Sequence, residues 1–370
     1  MTAEGLVLMG CGDVGPIHEP MDGYSTLARA TLATADIRFA QCERVYSERG
    51  APQIHASRFG TYERCKPHMA SVFSDCGFNV VSVASNHAMD WGADALLDTI
   101  ELFRKQGIQT VGAGRNAAEA RQPAIFERNG VRVAILAYCS VLNEGYAAGP
   151  NNAGAAPLRA HTYYEPHEYQ AGMPPRVVTV PHEEDLAAMA DDIAAAKKAA
   201  HAVVVSLHWG LHFIPRAIAD YQPIAARAAF AAGADLILGH HAHLPKAIGV
   251  HDGKVCFYSL SNFIMTTTSG VTPGRTALFA KRYGVTLDPE YPHAPFGMDA
   301  KRSLIAKALF TAKGIGRVSF LPVLIDPQLR PEVLLNPDPR FGDAVNFMDQ
   351  VSEEFEHSFA VDGNEVVIQR

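Results

Sequence analysis

Short, nearly unbroken apolar runs recur along this chain, and most of them stop abruptly on polar groups. Residues 5–10, 36–42, 78–84, 131–138, 202–207, 234–238 and 254–260 are such runs. Apolar stretches of about four to eight residues bounded by Gly, Pro, Asn or Ser predict strands buried on both faces. Further strands are predicted over 108–112, 123–127, 317–325, 332–335 and 365–368. Between the runs the period changes. Residues 24–35, 67–75, 90–105, 183–200, 221–232 and 341–356 carry helical spacing, with Leu96, Leu97, Ile100 and Phe103 on one face of the third. Gly77 suits the residue that ends the second. Strand and helix alternating in this way predict an α/β architecture with a substantially parallel sheet.

Two stretches lose the pattern. Residues 140–181 dissolve into Gly, Pro, Asn, Tyr and His, and residues 265–300 into Thr, Gly and Pro. Segments of that length inside a compact protein predict functional loops or lids. The 370 residues could form one large domain or two smaller ones. Polar motifs beyond the first insertion echo those before it, so the reading is one domain over residues 1–370 interrupted by the two insertions.

The polar groups that end the runs carry the chemistry. Asp13 follows Gly12, Glu43 follows Cys42, Asn86-His87 closes the third run, His208-Trp209-Gly210 follows the run at 202–207, and Gly239-His240-His241-Ala242-His243-Leu244-Pro245 follows the run at 234–238. In open α/β sheets, sites assemble beyond the carboxyl ends of the strands, so groups far apart in sequence can converge. A set mixing carboxylate, amide and imidazole suits manganese, iron or zinc better than calcium or magnesium, which prefer oxygen alone. Taken singly, each group has a plainer reading: Asp13 in a turn, Glu43 paired with Arg44, Asn86-His87 capping a helix, His208 bonded in a core. Arg44, Trp209, Arg216 and Lys246 lie near the motifs as candidates for contacting a substrate. His161, His167, His182, His212 and His293 have no partner pattern and read as surface or loop residues.

Composition narrows the classes. Apolar residues make up 48% and charged residues 19%, which excludes wholesale disorder. A net charge of −7 offers no basic footprint for nucleic acid. The six cysteines are scattered without a close pair, which predicts buried reduced thiols. Met1-Thr2-Ala3-Glu4 lacks a basic segment and a long apolar run, and no later run approaches membrane-spanning length. These features predict a cytoplasmic protein with no membrane anchor.

Together, Gly12-Asp13, Glu43, Ser85-Asn86-His87, His208-Trp209-Gly210, Gly239-His240-His241-Ala242-His243 and Tyr258-Ser259-Leu260-Ser261-Asn262-Phe263 resemble the CapA family of poly-gamma-glutamate synthesis proteins. That family is itself similar to the calcineurin-like metallophosphoesterases. The ordered match runs from about residue 5 to 264. The resemblance implies a sandwich of two mixed β-sheets flanked by helices, and a centre of two divalent ions, manganese, zinc or iron. Asp13 and His243 would serve one ion, Asn86, His208 and His241 the other, and Glu43 would bridge them. His87 would protonate a leaving group, with Asp90 orienting its ring. The implied activity is hydrolysis of a phosphoester or amide-type bond in a small or polymeric acidic substrate. The alternative is an accessory part in capsule assembly without turnover. Three positions depart from the pattern. Gly15 stands where phosphoesterases place a histidine, with His18 the nearest replacement; Gln41 stands for an asparagine and Ser261 for a glycine.

Overall fold

Leu6–Gly15 (β1) forms the axis of a ten-stranded mixed sheet in the computed structural model, which describes residues 5–54, 63–267, 271–294 and 296–370. The N-terminal residues 1–4, on which the reading of the leader rests, residues 55–62 of the patternless stretch between Arg44 and Lys66, and residues 268–270 and 295 of the second insertion lie outside the described residues. On one side of β1, Ile37–Cys42 (β2), Val80–Ser82 (β3) and Gln109–Val111 run parallel to it. On its other side lie antiparallel strands, Arg302–Thr311 first and Gly314–Ile325 next. The second sheet has six strands. Val131–Cys139 (β4), Ala202–His208 (β5) and Leu236–His240 (β6) are parallel, joined by Lys254–Phe257 and closed by antiparallel edges at Ala124–Arg128 and Ile248–His251.

The alternation of side chains along each strand explains the continuous apolar runs. Leu6, Leu8, Ile37, Phe39 and Val80 of the first sheet meet Val133, Ile135, Val204, Leu236 and Leu238 of the second in one buried layer. The intervening Met9, Ala40 and Val81 face outward onto Phe73 and onto Leu96, Ile100 and Phe103 of Gly92–Lys105 (α1). On the far side of the second sheet, Val203, Val205 and Ile237 pack against Met189 and Ile193 of Glu183–Ala199 (α2) and Ala225 and Phe230 of Tyr221–Ala232 (α3). The result is the expected sandwich of two mixed sheets with helices outside. All six cysteines are buried and unpaired. Among the described residues no helix is long and apolar enough to cross a membrane.

Four local expectations change. β1 does not stop at residue 10, so Asp13 lies inside the strand rather than after it. A Cβ on Gly12 would stand 1.9 Å from the Ser261 carbonyl oxygen, and the missing side chain lets Asn262–Met265 (β7) pair in parallel with the second half of β1. Residues 24–35 form only the single helical turn Arg29–Leu32 among turns. Arg302–Thr311 was not expected as a strand, yet it pairs directly with β1. Its Ser303, Lys307 and two alanines dilute the apolar signal. The two insertions are also structured. The first contains an antiparallel ribbon of Ala160–Glu165 and Arg176–Pro181, the second the helix Pro273–Tyr283 (α4).

Candidate metal centre

Strand register brings the polar ends together. In the parallel pair of β5 and β6, His208 lies opposite His240, and the chain after β6 turns back so that the His241 N–H donates to Asp13 Oδ2 over 3.2 Å. Asp13 itself lies opposite Gln41 of β2 and Asn262 of β7. His241 and His243 both adopt positive φ, 87° and 57°. Such conformations cost a non-glycine residue about 1–3 kcal/mol and persist where surrounding structure imposes them.

Two groups of atoms result. Asn86 Oδ1 lies 2.7 Å from His208 Nε2, and His241 Nδ1 lies 3.2 Å from the same nitrogen. In the second group, His243 Nδ1 stands 3.6 Å from Asp13 Oδ2. Glu43 stands between them: Oε2 is 3.7 Å from His208 Nε2, and Oε1 is 3.9 Å from His243 Nε2. One ligand atom each from Asp13, Glu43 and His208 fit within 4.8 Å of one another.

The electrostatics of this cluster call for a cation. Asp13 and Glu43 are fully buried. Asp13 Oδ1 and both Glu43 carboxylate oxygens have no hydrogen-bond partner among the described residues. Burial pushes the Asp13 carboxyl up to about 8 despite the His241 N–H, and burial followed by the nearby Asp13 pushes Glu43 well above the carboxylate range. Burial also drives the imidazoles of His208 and His241 well below their usual range, and lowers His243 to about 4. A neutral imidazole carries one N–H and one lone pair, so the His208 ring can donate Nε2–H to Asn86 Oδ1 without a cation or turn the Nε2 lone pair to a bound one. Without cations, two adjacent buried carboxylates resist ionisation together. The residues therefore fit divalent ions, and the donor set of oxygen and imidazole nitrogen suits manganese, zinc or iron.

A second layer of hydrogen bonds orients the rings. His243 Nδ1 lies 2.8 Å from Asn262 Oδ1, whose amide donates to the His243 carbonyl over 3.2 Å. With Nδ1–H donated to Asn262, Nε2 is left facing Glu43. His87 is held in the same way. Its Nδ1 lies 2.6 Å from Asp90 Oδ2, the Tyr146 hydroxyl donates to Asp90 Oδ1 over 3.0 Å, and His87 Nε2 lies 3.7 Å from Glu43 Oε1.

The candidates for substrate contact separate. Arg44 lines a cavity of about 730 Å³ together with Glu43, Asn86, His87, Asp90 and His243. Trp209 does not line it. As the residue after His208 it points to the opposite face, where it is fully buried, stacks on Tyr258 at 5.6 Å and donates its indole N–H to the Tyr258 carbonyl. Arg216 is exposed and pairs with Glu353 at 2.9 Å. Lys246 is buried, and its amine donates to the carbonyls of Ile214 and Ala217, away from the cavity. It braces the loop that carries His212 and Phe213. His18 also does not replace the histidine absent at position 15: its Nε2 lies 3.1 Å from the Thr267 carbonyl and its ring stacks against His293 at 3.9 Å. A Cβ on Gly15 would lie 2.9 Å from Met265 Sδ and 3.2 Å from Arg44 Cδ, so Arg44 and Met265 occupy the space a side chain there would need. Gln41 is buried and donates to the Ala84 carbonyl over 3.1 Å.

Burial lowers the Lys246 amine to about 7, from 10.5 in a solvated chain. The unfolded chain therefore holds this proton between pH 7 and 10.5 while the folded one releases it, so folding stability rises with pH across that window. Relative to Lys246→Met, the wild type is expected to gain up to about 1.4 kcal/mol per pH unit there. Urea midpoints of both proteins at pH 6, 8 and 9.5 test this, and a constant difference would refute it.

Three positions of this cluster escaped the sequence reading. His212, read as a loop residue, lines the cavity with its ring 3.9 Å from that of His241. Its spacing of four from His208 was the available signal. Asn262, within the 258–263 motif but given no role there, is bonded to His243, and Tyr146, which no local pattern distinguishes, is bonded to Asp90.

The family model described as bacterial capsule synthesis protein PGA_cap matches residues 12–267. The PGA biosynthesis protein CapA of Bacillus subtilis (strain 168) is 36% identical over 194 residues, 52% of this chain and 44% of that protein. The capsule biosynthesis protein CapA of Bacillus anthracis is 30% identical over 199 residues, 54% of this chain and 43% of that protein. A probable polyglutamine synthesis accessory protein of Mycobacterium tuberculosis (strain ATCC 25618 / H37Rv) is 27% identical over 247 residues, 63% of this chain and 53% of that protein. The chain thus spans about half the length of these relatives. Among solved structures, the calcineurin-like phosphoesterase YfkN from Bacillus subtilis aligns over 94% of this chain and 97% of that one, with 11% identity and a TM-score of 0.39.

Proposed function

This chain belongs to the PGA_cap family of bacterial capsule synthesis proteins, and we propose that it is a metal-dependent hydrolase with a two-ion centre acting on an acidic substrate. The observation that carries the reading is the meeting of Asn86 Oδ1, His208 Nε2 and His241 Nδ1 beside two buried carboxylates, of which Asp13 Oδ1 and both Glu43 oxygens have no hydrogen-bond partner among the described residues. Asn86, His208 and His241 would hold one ion, Asp13 and His243 the other. Glu43, with one oxygen toward each group, would reach both. Divalent ions bound there would supply Lewis-acid activation of water at neutral pH.

The other steps belong to the chain itself. Asp90 accepts the Nδ1–H of His87 and fixes its tautomer, so Nε2, on the cavity side, is the atom that holds and delivers a proton to a leaving group. Tyr146 holds Asp90 in place. Arg44 sits at the cavity edge to meet an acidic substrate. The bond cleaved is a phosphoester or an amide-type bond of that acidic substrate; poly-gamma-glutamate, named for the relatives, belongs with the accessory reading below. Six buried, unpaired thiols fit the reducing conditions of a cytoplasm.

A second reading, in which the protein assists capsule assembly without turnover, draws on the accessory role named for the mycobacterial relative. Elemental analysis after reconstitution, followed by a substrate panel, separates the two. Two transition-metal ions per chain with turnover of a phosphoester or gamma-glutamyl amide supports the hydrolase. Metal uptake with no turnover favours the accessory reading, and fewer than one ion per chain sinks the centre itself.

A further inference from the structure

The second insertion builds a wall of the cavity from α4. No residue of this helix is fully buried, so its apolar face contributes nothing to either core layer. Arg275, Phe279 and Arg282, spaced by four and three, share one face and line the cavity. Around Phe279 the rings gather: Phe213 lies 4.8 Å from Phe296 and 5.3 Å from Tyr283, and Phe279 lies 5.6 Å from Phe296. The Arg275 guanidinium stands over Phe279 at 5.2 Å and over Phe296 at 5.4 Å, and Arg282 stands over Tyr283 at 5.5 Å. The Arg282 guanidinium, stacked on Tyr283 by its face, keeps its edge for an anion.

Arg44 adds a third guanidinium to the cavity. It is 7% exposed, with Nη2 held by Glu63 at 2.5 Å and by the Thr266 carbonyl at 2.8 Å. Its Nη1 is buried with no hydrogen-bond partner among the described residues. Of the acidic side chains lining the cavity, Glu63 pairs with Arg44 and its charge also acts on Arg275, Asp90 is held by His87 and Tyr146, and Glu43 faces the rings of His208 and His243. The α4 side is therefore cationic and aromatic at once. The cavity volume of about 730 Å³ is in the size range of small-ligand sites.

We propose that this wall selects an anion, phosphate or carboxylate, carried on a planar aromatic group. The acid end lies between the centre and the guanidiniums, and the ring lies against Phe213, Phe279 and Phe296. An aliphatic polyanion would use the guanidiniums and leave the rings wet, whereas an aromatic anion matches both halves. This rests on the cavity being the substrate site of the proposed hydrolase.

Calorimetric titration of the full chain incubated with manganese compares phenylphosphonate with methylphosphonate and benzoate with acetate. Gamma-glutamyl-glutamate is the aliphatic control. The aryl member of at least one pair is expected to bind at least about 10-fold tighter, and the stronger pair identifies the acid group. Phe279→Ala and the volume-conserving Phe279→Leu should each cut that ratio to below about threefold. Arg282→Gln should weaken aryl and alkyl anions alike and leave the ratio intact. Equal binding of aryl and alkyl anions, a ratio unchanged in both Phe279 variants, tighter binding of gamma-glutamyl-glutamate, or no anion binding at all overturns the inference. Manganese content of the same samples keeps the two claims apart. Aryl preference without metal uptake removes the hydrolase reading and the acid's place beside the centre, and leaves the wall's preference as a binding property alone; metal uptake without aryl preference keeps the hydrolase reading and overturns this one.

Discussion

Replacing Glu43 by glutamine is expected to lower metal affinity by more than about 100-fold, because changes even to groups that only orient metal ligands cost about 10–100-fold. The substitution keeps the volume, removes the one negative charge that reaches both groups of ligands, and places an NH₂ where a lone pair stood. Its two neighbours are the neutral rings of His208 and His243, 3.7 and 3.9 Å away, and both can accept from the new donor. The metal-free variant is therefore expected to be at least as stable as the metal-free wild type, since a buried carboxyl with no partner has been replaced by an amide that can bond. Adding manganese or zinc at about 100 times the dissociation constant should stabilise the wild type by about 2.7 kcal/mol and the variant by little. Thermal unfolding with and without metal, together with elemental analysis, reads both effects. Equal metal content and equal metal-induced stabilisation in the two proteins would remove Glu43 from the centre.

Replacing His87 by asparagine is expected to lower kcat by about 10²–10⁴-fold on the substrate the protein turns over. His87 is not counted among the ligands, and its ring is tied to Asp90 rather than to Asn86, so metal content and unfolding temperature should stay near wild type. Asp90→Asn should act in the same direction with a smaller effect, because it disturbs the tautomer that presents Nε2 without removing the ring. Parallel measurement of kcat and metal content decides the outcome. Loss of metal in the His87 variant would recast the residue as part of the centre, and unchanged kcat would remove it as a proton donor.

The two variants touch residues that were visible in the sequence to different depths. Glu43 and His208 stood out because each follows a run read as a strand, broken by Arg38 and Gln41 in the first case and nearly all apolar in the second, so a charged or titratable group at its end needed a reason. Asp13 stood out for the same reason although its strand was drawn too short: the apolar signal stops at residue 10, while the backbone pairing continues to Gly15 through a contact that only Gly12 permits. Trp209 was misplaced because a site-adjacent position in sequence does not say which face of the strand a residue occupies. Lys246 was misplaced because a long side chain three residues past a ligand can turn away to bond carbonyls of another loop.

By itself the sequence determined the alternation of buried strands and covering helices, the mixed ligand set at their ends, and the family, because these are written in local periodicity and in short ordered motifs. Tertiary structure alone decided which ligand atoms face one another, that Arg44 and Met265 close the space beside Gly15, that Asn262 and Tyr146 orient His243 and Asp90, and that the second insertion brings rings and guanidiniums to the cavity. These facts depend on contacts between residues tens to hundreds of positions apart. The chain's pattern encodes the strands that make such contacts possible, while only their register and packing fix the distances.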